Sequence, residues 1–328
     1  MKILTTTKSF SRYAWFLLAY NILVILWGAF VRASGSGAGC GSHWPLCNGE
    51  VIPRAPQVET MIEFTHRITS GMVIVFVVIL IIRAFYLFPK NHLMRKISIA
   101  VVAFTVIESL IGAVLVLNEL TGQNDSIHRA IVMMIHLINT FFLVGALFLT
   151  AWWSSTEAPK KVYLWNGAWN GFILIGLMGM LVLGASGAVT ALGDTLYPST
   201  SLLEGFRQDF DPTAHFLIRL RVFHPAIAIL VGVYTLLVTT MIKNRFNNQQ
   251  VHRAATWLAR FYVLQLGLGV INVLLLAPVW MQITHLLVTN VIWICWMWVA
   301  ESFFGGRVMF EGIRDDTIHK QIGKALSQ

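Results

Sequence analysis

The 328-residue chain carries 56% apolar and only 12% charged side chains, where an ordinary soluble domain has roughly 25% charged residues. With a mean hydropathy of +0.69, it is not a soluble globular enzyme. The net charge of +9 is spread over short connections between apolar runs rather than gathered into one patch, which speaks for membrane orientation and against nucleic-acid binding.

Apolar runs long enough, at ~1.5 Å per residue, to cross a ~30 Å hydrocarbon core predict eight spans: 13–33, 61–88, 97–118, 128–153, 168–192, 214–242, 254–277 and 280–303. The predicted fold class is therefore all-α and polytopic. The first run follows Lys2, Lys8 and Arg12 as a signal peptide would, yet it is too long and leads into Gly-rich sequence rather than a cleavage site, so a retained helix is expected. Orientation follows from the basic residues. Fifteen lie on one side, among them Lys90, Arg95, Lys96, Lys160, Lys161, Lys243, Arg245, Arg253 and the tail, against seven on the other. The excess side is cytoplasmic. Both termini are then inside, and helices two, four, six and eight begin at the outer face.

Of the three cysteines, Cys40 and Cys47 fall in the first outer connection and Cys295 inside the last helix. An outer location permits a disulfide. Two free thiols, or a metal site with His43, are the alternatives, although a second Cys pair at zinc spacing is lacking. Cys295 reads as a small hydrophobe in lipid.

An internal repeat orders the rest. Glu63-Phe64-Thr65-His66-Arg67 in helix two corresponds to Arg221-Val222-Phe223-His224-Pro225 in helix six, 158 residues on, and Glu108…Gly112 in helix three to Gln265…Gly269 in helix seven, 157 on. His136-Leu137 with Thr140 matches His285-Leu286 with Thr289 at an offset of 149, which implies an eight-residue insertion in the first half's third connection. Gly28-Ala29 and Gly184-Ala185 are the shared features of helices one and five. The expectation is two parallel-related four-helix bundles, residues 1–160 and 161–328.

Six histidines read as surface or interfacial: His92, His252 and His319 in inner segments, and His43, His128 and His215 near the outer face. His66, His136, His224 and His285 lie inside apolar helices and obey the repeat. Ionisable residues at such depth are costly and point to function. Haem iron takes two axial ligands on opposite sides of a flat macrocycle, and a four-helix bundle offers a slot with facing histidines; the pattern supplies that twice. Proton conduction and hydrogen-bonded structural histidines are the competing readings. His136 is preferred over His128 because only His136 shares its surroundings with His285.

The halves differ one turn before the first histidine of each pair. Arg221 there suits a haem propionate and a permanent cofactor. Glu63 offers a proton acceptor or a stabiliser of developing positive charge, with a salt bridge to Arg67 or a helix cap as the plainer role. The first half reads as catalytic and the second as an electron relay.

Gly28-Ala29-Phe30-Val31-Arg32-Ala33-Ser34-Gly35-Ser36-Gly37 through Cys40, Trp44-Pro45-Leu46-Cys47-Asn48-Gly49, Glu63-Phe64-Thr65-His66-Arg67, His136-Leu137, His224-Pro225 and His285-Leu286 together resemble the haem A synthase family over residues 20–303. The resemblance implies an oxidoreductase that converts a methyl group of haem O to the formyl group of haem A for terminal oxidases. By the same resemblance His224 and His285 ligate a resident haem b, His66 and His136 bracket the iron of the substrate haem O, Glu63 is the substrate-site glutamate, and Cys40 and Cys47 form the outer-loop cysteine pair, expected here to be disulfide-linked. It implies a bacterial plasma membrane with the haem sites toward the outer face. Haem O synthase and terminal oxidase assembly factors are the partners expected besides the lipid bilayer. This chain departs in lacking a cysteine pair in the fifth connection, Ala191 to Pro198. A dihaem cytochrome b electron-transfer subunit is the alternative from another functional class.

Overall fold

The computed structural model describes residues 6–54, 56–156, 158–159, 162 and 167–305. Lys2, Lys160, Lys161, His319 and the basic tail fall outside them. Among the described residues the chain is helical, with one isolated β-bridge and no strand. The helices are α1 (Thr7–Ala33), α2 (Val58–Leu87), α3 (Leu93–Leu117), α4 (Ile127–Ser155), α5 (Ala168–Leu196), α6 (Leu202–Phe210), α7 (Phe216–Arg221), α8 (Phe223–Arg245), α9 (Gln249–Leu274) and α10 (Val279–Phe304). Eight segments are long and apolar enough to cross a membrane, α7 and α8 counting as one. Most run three or more residues past the hydropathy boundaries at one end, because a helix continues through the polar interface until a cap or a proline stops it. Thr6, Ser126 and Asn248 accept first-turn backbone N–H groups of α1, α4 and α9. Threonine hydroxyls inside spans, such as Thr65, Thr105 and Thr150, donate to carbonyls four residues back and so remain satisfied without water.

The sixth span departs from expectation in being broken at Val222. Pro225 has no N–H to give the carbonyl of Arg221, so the helical ladder loses a rung at the junction. The helix α6 was absent from the hydropathy reading. It has nine residues and an apolarity balanced by charge, and it leaves Leu203, Phe206 and Phe210 exposed.

Helices α1 to α4 pack on one another, as do α5, α8, α9 and α10, and the two groups meet where α4 and α1 contact α5 and α10. That seam is tight. Phe141 of α4 stacks on Trp293 of α10 with ring centroids 5.0 Å apart, and Trp293 Nε1 donates to the Phe141 carbonyl at 2.6 Å. Lipid is as apolar as leucine, so close packing rather than hydrophobicity holds such a seam. Ile74, Val75, Val78 and Ile82 on α2, and Leu230, Val233 and Leu237 on α8, are exposed, as side chains facing lipid would be.

The insertion in the first half is shared between two elements. Residues 118–126 join α3 to α4 where only 275–278 join α9 to α10, and α4 runs three residues further before its histidine than α10 does. His128 sits on that extra turn and is exposed, whereas His136 is half-buried.

Candidate haem-binding sites

His224 lies in the first turn of α8 and His285 in the second turn of α10, with ring centroids 6.5 Å apart. Two imidazoles sharing one metal ion at a metal–nitrogen distance of ~2.0 Å, each ring centre ~1.1 Å behind its nitrogen, are separated by roughly 6.3 Å. The observed spacing therefore leaves room for a single iron and little else. Ser186 of α5 stands against the His224 ring nitrogen. Its hydroxyl donates to the Leu183 carbonyl at 2.8 Å and lies 2.9 Å from His224 Nδ1. With its one proton directed at Leu183, Ser186 Oγ accepts from Nδ1–H, which leaves the Nε2 lone pair for a metal. A Cβ at Gly187 would stand 3.0 Å from His224 Cε1, so glycine keeps the ring's place open. On α10, Gln265 Nε2 donates to the His285 carbonyl at 3.0 Å and to Thr289 Oγ1 at 2.7 Å, pinning the turn that carries His285. Ser186→Ala is expected to weaken haem retention about 10- to 100-fold, the usual cost of losing the partner of a ligating imidazole. Haem dissociation into an excess of apomyoglobin measures it, and an unchanged rate would remove Ser186 from the site.

In the first group of helices His66 sits in the third turn of α2 and His136 in the third turn of α4. A Cβ at Gly28 would lie 2.9 Å from His66 Cε1. Gly28 thus does for His66 what Gly187 does for His224. The repeat marker proposed from sequence was Gly184, but the structure packs Gly184 against the Phe141 ring at the seam, and Gly187 is the true counterpart, 159 residues on. The buried Nδ1 atoms of His66, His136 and His285 have no hydrogen-bond partner among the described residues. Half-buried imidazoles whose inward nitrogens have no protein partner have the donor chemistry haem iron needs.

Glu63 is 4% exposed and fully engaged. Oε1 accepts from Arg67 Nε and Nη2 at 3.1 and 2.5 Å, and Oε2 accepts from the Cys40 backbone N–H at 2.9 Å. The plainer role of Glu63, a salt bridge to Arg67, is thus realised, and it ties the loop before α2 to the top of that helix. Arg67 Nη1 also donates to the carbonyls of His43 and Leu46, and Thr60 Oγ1 donates to that of Gly39 at 2.8 Å. Cys40 and Cys47 are disulfide-linked across this loop. Both sulfurs are buried, so maleimide labelling of unreduced membranes is expected to modify neither residue and labelling after reduction to modify both; full labelling without reductant would contradict the bond.

Arg221 differs from expectation. Its guanidinium already faces two carboxylates, Asp194 at 3.3 Å and Asp209 at 2.9 Å, and donates to the Tyr197 carbonyl at 3.1 Å. Burial raises the Asp209 carboxyl, opposed by Arg221. Nearby, Tyr197 donates to Asp125 at 2.5 Å, which pushes the phenol up to about 12 and holds the Asp125 carboxyl below the usual range. His215, read as interfacial, caps α7 and packs against Tyr197 with the rings tilted. Arg32 was missed as a structural element: from α1 it donates to Ala191 O and Thr195 Oγ1 at 2.6 Å and to Gln282 Oε1 at 2.9 Å, bridging α1 to α5 and α10.

Eight apolar helices among the described residues, with the four repeat-related histidines divided two and two between the groups of helices, define an integral helical membrane protein. The chain belongs to the COX15-CtaA family, described as cytochrome oxidase assembly protein, which matches residues 11–297. A protein named protoheme IX farnesyltransferase from Thermus thermophilus is 48% identical over 97% of this chain, a stretch that makes up 53% of that relative. The chain thus spans about half the length of the first relatives it matches. A heme A synthase of Staphylococcus aureus is 28% identical over 76% of this chain and 81% of its own length, and one of Alkalihalophilus pseudofirmus is 45% identical over 28% of this chain and 31% of its own.

Proposed function

We propose that this chain is a haem A synthase: an oxidoreductase that takes haem O into residues 1–160 between His66 and His136, and oxidises one porphyrin methyl group to a formyl group. Residues 161–328 hold a resident haem b on His224 and His285. The observation that carries this reading is that two equivalent histidine pairs stand in unequal surroundings. The second pair is built to keep its occupant, with His224 fixed by Ser186. In the first pair neither imidazole has a neutral hydrogen-bond partner on Nδ1, and two carboxylates, Glu63 and Glu108, stand near.

Haem O carries a farnesyl tail and is nearly insoluble, so entry from the bilayer between first-half helices spares it a passage through water. The residues then do four things. His66 and His136 orient the macrocycle, and the disulfide-closed loop on Glu63 and Arg67 covers the site and excludes water. Glu63 steadies positive charge developing on the ring edge or takes up a proton released from the methyl group. Haem b, when bound, supplies one-electron storage between substrate and an external acceptor. Arg32, which joins α1 to α5 and α10, keeps the halves in register. The cytoplasmic termini and outer-face sites rest on the distribution of basic residues.

The relative named a farnesyltransferase favours a second reading, farnesyl transfer to protohaem. Its match with this chain covers only 53% of its length, and a heme A synthase aligns with 76% of this chain, so we assign the name to the part of that relative outside the match. An enzyme making farnesylated haem is then a natural partner, as supplier of the substrate. Pigment extraction from cells expressing the chain tests all readings. With haem O supplied, haem A and hydroxylated haem are expected. New haem O from protohaem and farnesyl diphosphate would support the transferase, and unchanged haem b alone would support an electron-transfer cytochrome.

A further inference from the structure

Glu108 is a half-buried carboxylate of α3 to which the reaction outlined above gives no task. Both its oxygens are served: Thr140 Oγ1 donates to Oε1 at 2.5 Å and Asn139 Nδ2 to Oε2 at 2.6 Å. Oε1 stands 3.7 Å from His136 Nδ1, an atom with no hydrogen-bond partner among the described residues. The equivalent position in the second half is Gln265, whose amide turns to the His285 carbonyl and Thr289 instead of to the imidazole nitrogen. Both side chains tether a ligand-bearing helix, but only the first brings a negative charge to it. A carboxyl group inside a membrane span is costly, and a neutral glutamine at the same position performs the tethering, so tethering alone does not account for Glu108.

A carboxylate behind a ligating imidazole fixes its tautomer and raises its donor strength. We propose that Glu108 is a positioning residue that holds His136 with Nδ1 toward its carboxylate and Nε2 toward the substrate iron, and makes His136 the most electron-donating of the four histidines. Iron between His66 and His136 is then held at a lower potential than iron between His224 and His285. With haem bound at both pairs, Glu108 and its second-half counterpart Gln265 would set the direction in which an electron passes between them. This rests on the ligand assignment above.

The test loads the purified full-length chain with two equivalents of protohaem, which binds without the farnesyl tail, and follows the reduction of each haem by spectroelectrochemical titration. His136→Ala identifies the first-half component by removing it. Glu108→Gln, which installs the second half's residue, is expected to keep that haem and to shift its ferrous-to-ferric ratio at the wild-type midpoint about fivefold to tenfold toward ferrous, the larger value being ~59 mV. Glu108→Asp should recover part of the shift. Gln265→Glu is expected to move the second-half component the opposite way, and it probes the same charge effect should Glu108→Gln not fold. An unchanged first-half potential in a Glu108→Gln protein with full haem content would overturn the proposal while leaving the ligands standing. Retention of both components in His136→Ala would overturn the ligand assignment, and this proposal with it.

Discussion

Glu63→Gln should lower the yield of haem A from haem O by roughly 10²- to 10⁴-fold, the range for loss of a group acting as base or electrostatic stabiliser, while haem b stays in the second half. Glutamine matches the volume and its carbonyl can still accept from the Cys40 N–H that Oε2 now receives. What disappears is the charge. Breaking a buried ion pair costs about 3–5 kcal/mol where the surviving charge is stranded, but Arg67 retains the carbonyls of His43 and Leu46, so the loop should stay docked. Arg67→Gln separates the two roles of Glu63. If the carboxylate only serves the loop through Arg67, both variants lose activity to the same degree; if it acts on the substrate, Glu63→Gln falls much further. The measurement is the ratio of haem O, hydroxylated haem and haem A extracted at equal protein level. Wild-type haem A from Glu63→Gln would leave Glu63 as a loop anchor alone.

His224→Ala and His285→Ala are each expected to abolish binding of the proposed resident haem b, whereas His66→Ala should leave it in place. In the proposed site each imidazole would hold the iron from its own helix, and the rings stand only 6.5 Å apart. Pyridine haemochrome assay of purified protein reads the stoichiometry directly. Full haem b in both second-half variants would overturn the resident site, and loss in His66→Ala alone would exchange the roles of the halves.

The eight spans, the histidine pairs and the family resemblance were legible because hydropathy and motif spacing are properties of consecutive residues. The span count needs only ~20 apolar residues in a row, and the repeat offset of 158 carries His66 onto His224 without reference to any contact. Where the reading missed, the deciding interaction was small or distant. The nine residues of α6 are too short and too charged to register as apolar, and the break at Val222 lies inside a continuous hydropathy peak although Pro225 marks it. Gly184 and Gly187 belong to the same small-residue stretch; which of them faces an imidazole depends on the rotation of α5 against α8.

The sequence by itself thus determined that the chain crosses the membrane eight times and carries two histidine pairs, since local apolarity must satisfy the bilayer whatever the packing. Only the tertiary structure decided what each polar side chain does there. Arg32 finds Gln282 across 250 residues, Arg221 is taken by Asp194 and Asp209 rather than left free, and Ser186 and Glu108 come to stand behind two different histidines. The physical reason is that a buried polar group in a membrane must be matched atom by atom. Its partners come from neighbouring helices whose rotation and depth are fixed by packing at the α4, α5 and α10 seam, which no stretch of consecutive residues records.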